Sequence, residues 1–240
     1  DGSWKLGRKH GYGIFTFANK SKYVGQWDEN EKHGFGTMYY IDDTVYEGAW
    51  VHGKKQGKGT FIWPDKSKYV GDWNDGKKEG RGIIYFADGS KYDGDFLDNL
   101  REGEGQMVFA DGSKYHGFWK NNMRDGKGLM MFEDGSEYTG IWTADVREGL
   151  GTQTYPDGAK YKGRWSKNKR NGEGNLYLPD GAKYLGIWKD GQKHGEGTFI
   201  YPDTSRYIGQ WEGDQKTGYG VFIGFDGTRY EGQWYEGKRQ

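Results

Sequence analysis

The 240 residues are 33% hydrophobic and 18% aromatic, with 44 glycines, no cysteine and a formal net charge of +0. Rings supply over half of the hydrophobic residues, which excludes a conventional core of Leu, Ile and Val, and 11 Trp, 19 Tyr and 12 Phe exclude a disordered chain. Without cysteine there is no disulfide framework or zinc-finger spacing, without an apolar run of ~20 residues there is no spanning helix, and balanced charge argues against a nucleic-acid partner.

In chain order, Asp1-Gly2-Ser3-Trp4 reads as the tail of an interrupted x-Gly-x-Trp segment. From Tyr23 onward a tyrosine recurs every 23 residues, at Tyr46, Tyr69, Tyr92, Tyr115, Tyr138, Tyr161, Tyr184, Tyr207 and Tyr230. Glycine follows each two residues later, from Gly25 to Gly232, and tryptophan four later, from Trp27 to Trp234, with Phe96 the one departure. A Gly-x-Gly pair keeps step from Gly11/Gly13 to Gly218/Gly220. Pro64, Pro156, Pro179 and Pro202 all precede Asp, where a fixed φ suits the second position of a turn, and Asp88-Gly89, Asp111-Gly112 and Asp134-Gly135 signal hairpins. The last unit stops after Trp234 without its return strand, so an excerpt from a longer array is expected.

Tyr, Gly and Trp at i, i+2 and i+4 share one face of an extended strand, whereas a helix would scatter them. Parity also sets Gly57, Gly59, Phe61 and Trp63 on one face and Thr60 and Ile62 on the other. The expected fold is all-β: one continuous array over residues 1–240, an elongated twisted antiparallel meander of about ten 23-residue hairpins, open at both ends and roughly 100 Å long. The mid-strand glycines are expected to let a ring from the neighbouring strand lie against the backbone.

YxGxW followed by GKxxGxG and a PDGS/A-K turn resembles the MORN (membrane occupation and recognition nexus) repeat, over essentially the whole chain. The resemblance implies an antiparallel meander with an aromatic-lined groove. It also implies scaffold or adaptor work, as in junctophilins, protozoan cytoskeletal proteins, radial-spoke heads and the amino-terminal regions of plant phosphatidylinositol phosphate kinases. A long regular array is most similar to the cytoskeletal and ciliary group. The expectation is a non-enzymatic scaffold in the cytoplasm, at the cell cortex or ciliary axoneme. A peptide or helix of a protein partner would lie along Tyr92, Tyr115, Trp119, Tyr138, Trp142, Tyr161, Trp165, Tyr184 and Trp188. Alternatives are an adaptor for phosphoinositides or acidic membranes, and the regulatory array of an enzyme whose catalytic domain lies elsewhere. Ile41-Asp42-Asp43, Asp65-Lys66, Asp203-Thr204 and Ile223-Gly224-Phe225 depart from the turn pattern and are expected to bend or pair differently.

No catalytic constellation is visible, and no cofactor or metal is expected. Gly71 to Lys77 fits the start of a phosphate-binding loop, but Lys78 replaces Ser/Thr, and Gly48 to Lys54 and Gly232 to Lys238 match equally, so the repeat explains it. His10, His33 and His194 occupy one slot, whole units apart, unlike metal ligands. A basic residue stands nine after each tyrosine, including Lys78, Arg101, Arg124, Arg147, Arg170 and Lys193, and a second row with Lys22, Lys68, Lys91, Lys114, Lys160 and Lys183 faces away from the rings. The first row reads either as solubility and edge protection or as a ladder for weak binding to anionic phospholipid. An open sheet also leaves edges, and a homodimer is expected at Phe225, Tyr230, Trp234 and Tyr235.

Overall fold

The computed structural model describes residues Asp1–Gln240, with 22 β-strands and no helix. Contacts divide the chain into two compact units, Asp1–Met123 and Arg124–Gln240. In the first, eleven strands from Gly2–Lys5 to Lys114–Lys120 each pair antiparallel with their neighbours in sequence. In the second, eleven strands from Met123–Met131 to Lys238–Arg239 do the same. A seven-residue strand with Tyr-x-Gly-x-Trp alternates with a nine-residue strand with Gly-x-Gly, as in Lys160–Ser166 and Lys169–Tyr177.

Two kinds of turn join them. The reversal after each Tyr-x-Gly-x-Trp strand is a two-residue turn with both residues left-handed, as at Asp98 (φ 49) and Asn99 (φ 73) or Lys167 (φ 49) and Asn168 (φ 65). That is the type I′ geometry whose twist matches the flanking strands. The second position is always Gly, Asn or Asp, the residues that tolerate it best. Where it is Asn or Asp, the side chain also accepts an amide of the preceding repeat, as Asn168 Oδ1 does from Arg147 N at 2.8 Å. The other turn bears out the role given to proline: Gly158 N–H donates to Tyr155 O across Pro156 at 2.9 Å, and Asp157 Oδ1 accepts Ala159 N–H at 2.9 Å.

The departures expected to disturb this turn do not. Asp43, Lys66 and Thr204 take the left-handed position at φ 65, 72 and 72, and donate to Tyr40, Trp63 and Tyr201 as glycine does elsewhere. Gly227 closes on Gly224 at 3.0 Å in the same way. The preceding Asp, bonded to the amide two residues on, holds the reversal and offsets the cost of the left-handed side chain.

The core lies on the Tyr/Trp face, and the packing differs from the expected one. The ring over Gly163 belongs to Tyr161 of the same strand. It lies along the backbone, donates its hydroxyl hydrogen to Arg164 O at 2.9 Å, and covers Gly163 together with the opposed Gly174. A Cβ on Gly163 would stand 2.5 Å from both Tyr161 Oη and Gly174 Cα. Tyr161 then meets Trp165 (5.3 Å, 87°) and Trp188 (5.4 Å, 83°) edge to face, and Trp188 Nε1–H donates to Gly174 O at 3.0 Å. Each fully buried ring contributes about 1.5–3 kcal/mol of apolar burial.

Parity fails at one point in every repeat. Gly48 faces Gly59 but Trp50 faces Lys55, so the nine-residue strand carries extra residues in a bulge at Gly57, whose φ is +65. Gly59 and Phe61 stay on the ring face, whereas a Cβ on Gly57 would aim at Ala49 Cβ, 3.8 Å away on the other face. Lys55, four residues before Gly59, keeps its parity and faces Trp50 on the ring side.

Candidate protein-interaction face

The residues expected to line a partner groove are the core. Tyr92, Tyr115, Tyr138, Tyr161 and Tyr184 are 0% exposed, and Trp119, Trp142, Trp165 and Trp188 are 5% exposed or less. The glycines let the tyrosine rings collapse onto their own strands, which leaves little of any ring for a partner to touch. Burial pushes the Tyr138 and Tyr207 hydroxyls up to about 12, which keeps these phenols neutral across the physiological range.

The cations nine residues after each tyrosine seal this core. Arg101, Arg124, Arg147 and Arg170 stand 4.4, 4.2, 4.4 and 4.0 Å from Trp119, Trp142, Trp165 and Trp188, and Lys193 stands 5.1 Å from Trp211. Lys78 lies over Trp63, Tyr69 and Phe96. The four arginines also donate to carbonyls of the next turn, Asn122, Asp145, Asn168 and Gly191, at 2.7, 3.3, 3.0 and 2.7 Å. This is a third role beside the two read from sequence: cation–π cover and a tie between successive repeats. Lys55, over Phe61 and Trp73 at 4.3 and 4.5 Å, is brought down to about 8 by burial and by the charges of Lys32 and Lys78. The acidic slot has a structural use too, since Glu102, Asp125 and Glu148 accept the amides of Asn121, Ala144 and Lys167 at the next type I′ turn.

The opposite face is open. In the first unit a groove of about 600 Å³ is lined by Phe35, Thr60, Val70 and Ile83, with Glu47, Lys58, Arg81 and Asp93 at its sides. In the second, a groove of about 540 Å³ is lined by Leu150, Thr152, Lys162, Glu173, Asn175 and Tyr177. Large apolar side chains stand exposed there, Phe35 at 58% and Leu150 at 63%. The signal for this face was in the sequence as the positions that do not repeat. The slot between the paired glycines reads Tyr12, Phe35, Lys58, Arg81 and Glu104 in the first unit and Lys127, Leu150, Glu173, Glu196 and Tyr219 in the second. Lys22, Lys68, Lys91 and Lys114 do point away from the rings, and Lys22 and Lys68 lie 4.8 Å from the rings of Tyr39 and Tyr85.

Of the residues expected at a self-association edge, Phe225 and Tyr235 are exposed, Tyr230 is half-buried, and Trp234 is buried with its N–H on Gly220 O at 3.2 Å. His10 meets Asp28 at 3.1 Å, His33 packs against His52, and no cluster of three His, Cys, Asp or Glu side chains is arranged to hold a metal.

A family model described as MORN repeat matches the chain in eleven consecutive segments, 1–22, 23–45, 46–68, 69–91, 92–114, 115–137, 138–160, 161–183, 184–206, 207–229 and 230–240. No curated protein sequence matches it. Among solved structures, the TCP10 domain of Danio rerio CPAP in complex with a peptide of Danio rerio STIL is similar at 11% identity and a TM-score of 0.46, over 92% of this chain and 93% of that one. The SAS-4 (dCPAP) TCP domain of Drosophila melanogaster, in complex with a proline-rich motif of Ana2 (dSTIL), is similar at 18% identity and a TM-score of 0.40, over 72% and 86%. With both scores below 0.5, the likeness carries nothing further about this chain.

Proposed function

We propose that this chain, which belongs to the MORN repeat family, is a non-enzymatic scaffold that docks protein partners on the face opposite its rings, within a cytoplasmic cytoskeletal or ciliary assembly. One observation carries the reading: the Tyr, Gly and Trp slots of the ring face recur in register and are spent on the core, whereas the opposite face is exposed, varies from repeat to repeat and is grooved in both units. Invariant slots build a frame, and varied exposed slots are where a partner can be told from its competitors. The cations once considered for lipid headgroups are engaged with rings and carbonyls, which favours a protein partner over a membrane.

Co-sedimentation with detergent-extracted axonemes and cortical cytoskeletons tests this. A chain carrying Val70→Asp, Ile83→Asp, Leu150→Asp and Thr152→Asp should stay in the supernatant while the parent chain pellets, with circular dichroism spectra unchanged. Equal pelleting of the two proteins would refute docking on this face, and pelleting of neither would refute the cytoskeletal assignment.

A further inference from the structure

Resting on that docking face, we propose that the first unit accepts a segment in the polyproline II conformation that carries apolar and basic residues alternately at every third position.

The proposal starts from one uninterrupted cross-strand row on the open face. Val24, Thr37, Glu47, Thr60, Val70, Ile83, Asp93, Gln106 and His116 are successive partners across the ladder. Taking the position just after each tyrosine, the row reads Val24, Glu47, Val70, Asp93 and His116, apolar and acidic in alternation over its first four members, one repeat apart. With two strands per repeat, neighbours in this series lie roughly 9.6 Å apart.

A ligand that reads successive repeats must return the same side of itself at that interval. A polyproline II helix does so every three residues, at about 9.3 Å. An α-helix does so every seven, at about 10.5 Å, and over three intervals the error grows to about 3 Å against about 1 Å. An extended strand alternates sides, so its matching residues fall at about 6.8 or 13.6 Å and miss the series. Polyproline II has no internal hydrogen bonds and brings its own rigidity, which suits a sheet whose ladder groups are already paired and which can offer only side chains.

Charge supplies the polarity. Glu47 is exposed and has neither a hydrogen bond nor an ion pair. Asp93 has only long pairs, at 3.5 Å, with Arg81 and Lys91. Of the cations of the groove, Lys58 is held by Asp72 at 2.7 Å, and Arg81 is shared at similar length between Asp93 and Asp95. A lysine or arginine arriving above Glu47 and Asp93 therefore gains carboxylate partners, while the residues between seat on Val24 and Val70. The same series in the second unit, Thr139, Lys162, Leu185, Ile208 and Glu231, has a lysine where the acid would be needed, so the preference belongs to the first unit.

The test uses the full chain and a fluorescent peptide, LPPKPPLPPKPP, read by anisotropy. It should bind, whereas LPKPLPKPLPKP, with a two-residue period, and LPPEPPLPPEPP should bind at least ~10-fold more weakly. Glu47→Lys with Asp93→Lys should reverse the preference between the basic and acidic peptides, and Lys162→Glu should leave it unchanged. Equal binding of the two periods, or no effect of the double reversal, overturns the proposal. A random peptide library panned on the chain separates this from failure of the docking reading. Binders lost with Val70→Asp and Ile83→Asp but lacking a three-residue period overturn the register alone, and a library yielding no binder sensitive to those variants overturns both.

Discussion

The two faces of each sheet are built from alternate residues of the same strands, yet they follow opposite rules. On the ring face every side chain is constrained: Tyr184 is 0% exposed, its hydroxyl is bonded to Ile187 O at 2.9 Å, and Trp188 and Trp211 meet it edge to face. On the other face, two residues away at most, Leu185 and Ile208 differ from Val24 and Glu47 at the same slot with no change in register. A single-layer sheet thus separates stability from recognition by parity alone. Substitutions on one face should cost fold, and those on the other should cost only binding.

The largest break expected in this contrast is Trp188→Ala, which removes a 1% exposed indole, its bond to Gly174 O and two edge-to-face contacts. A loss of about 3–5 kcal/mol in urea unfolding is expected. Close behind is Gly163→Val. Despite valine's strand propensity, its side chain would meet backbone and the Tyr161 ring, neither of which can yield cheaply, and a loss of about 3 kcal/mol is expected from the same measurement. A valine variant as stable as the parent would remove the own-strand tyrosine packing from this account.

Removing the charge of a ring-face arginine, which a lipid ladder would tolerate structurally, should instead weaken the fold. Arg170→Leu forfeits cation–π contact with Trp188 and a bond to Gly191 O, about 1–2 kcal/mol in all, and a thermal melt will show it. Acid should act on the turns. Hydroxyl and amide donors from Ser90, Ser113 and Ser136 hold Asp88, Asp111 and Asp134 below the ordinary carboxylate range. The unfolded chain therefore takes up these protons first. The contribution is complete above the ordinary Asp value, near ~3.9, and is lost as pH falls through the folded values. Melts from pH 7 to pH 2.5 should decline at the acid end. The triple variant Asp88→Asn, Asp111→Asn and Asp134→Asn should flatten that decline, because Asn19 already closes the same turn uncharged. The smallest effect belongs to the open face: Val70→Asp should change stability by no more than about 0.5 kcal/mol, and a larger loss in urea unfolding would place part of the core there.

Much of this was legible in the residues. The 23-residue spacing, the strand parity of Tyr-x-Gly-x-Trp and the proline before Asp predict strands and turns that the structure contains. Two local readings failed. Turns at Asp43, Lys66 and Thr204 were expected to deviate from the pattern, but each takes the left-handed position and keeps the Asp-to-amide bond that also closes the glycine turns. The groove along the rings was what the resemblance to MORN repeats implied, and sequence carries no measure of how far a ring can settle onto a glycine.

What the sequence determined by itself is the repeat and the strand alternation, because both follow from short-range period and residue type. What only the tertiary structure decided is which side faces outward for use. The bulge takes the first glycine of each pair off the ring face, while Lys32, Lys55, Arg101 and Arg170, four residues before the second glycine, stay on it opposite Trp27, Trp50, Phe96 and Trp165. Counting residues cannot find that bulge, since a left-handed glycine and an extended one are written with the same letter, and their difference is set by the strand lying opposite.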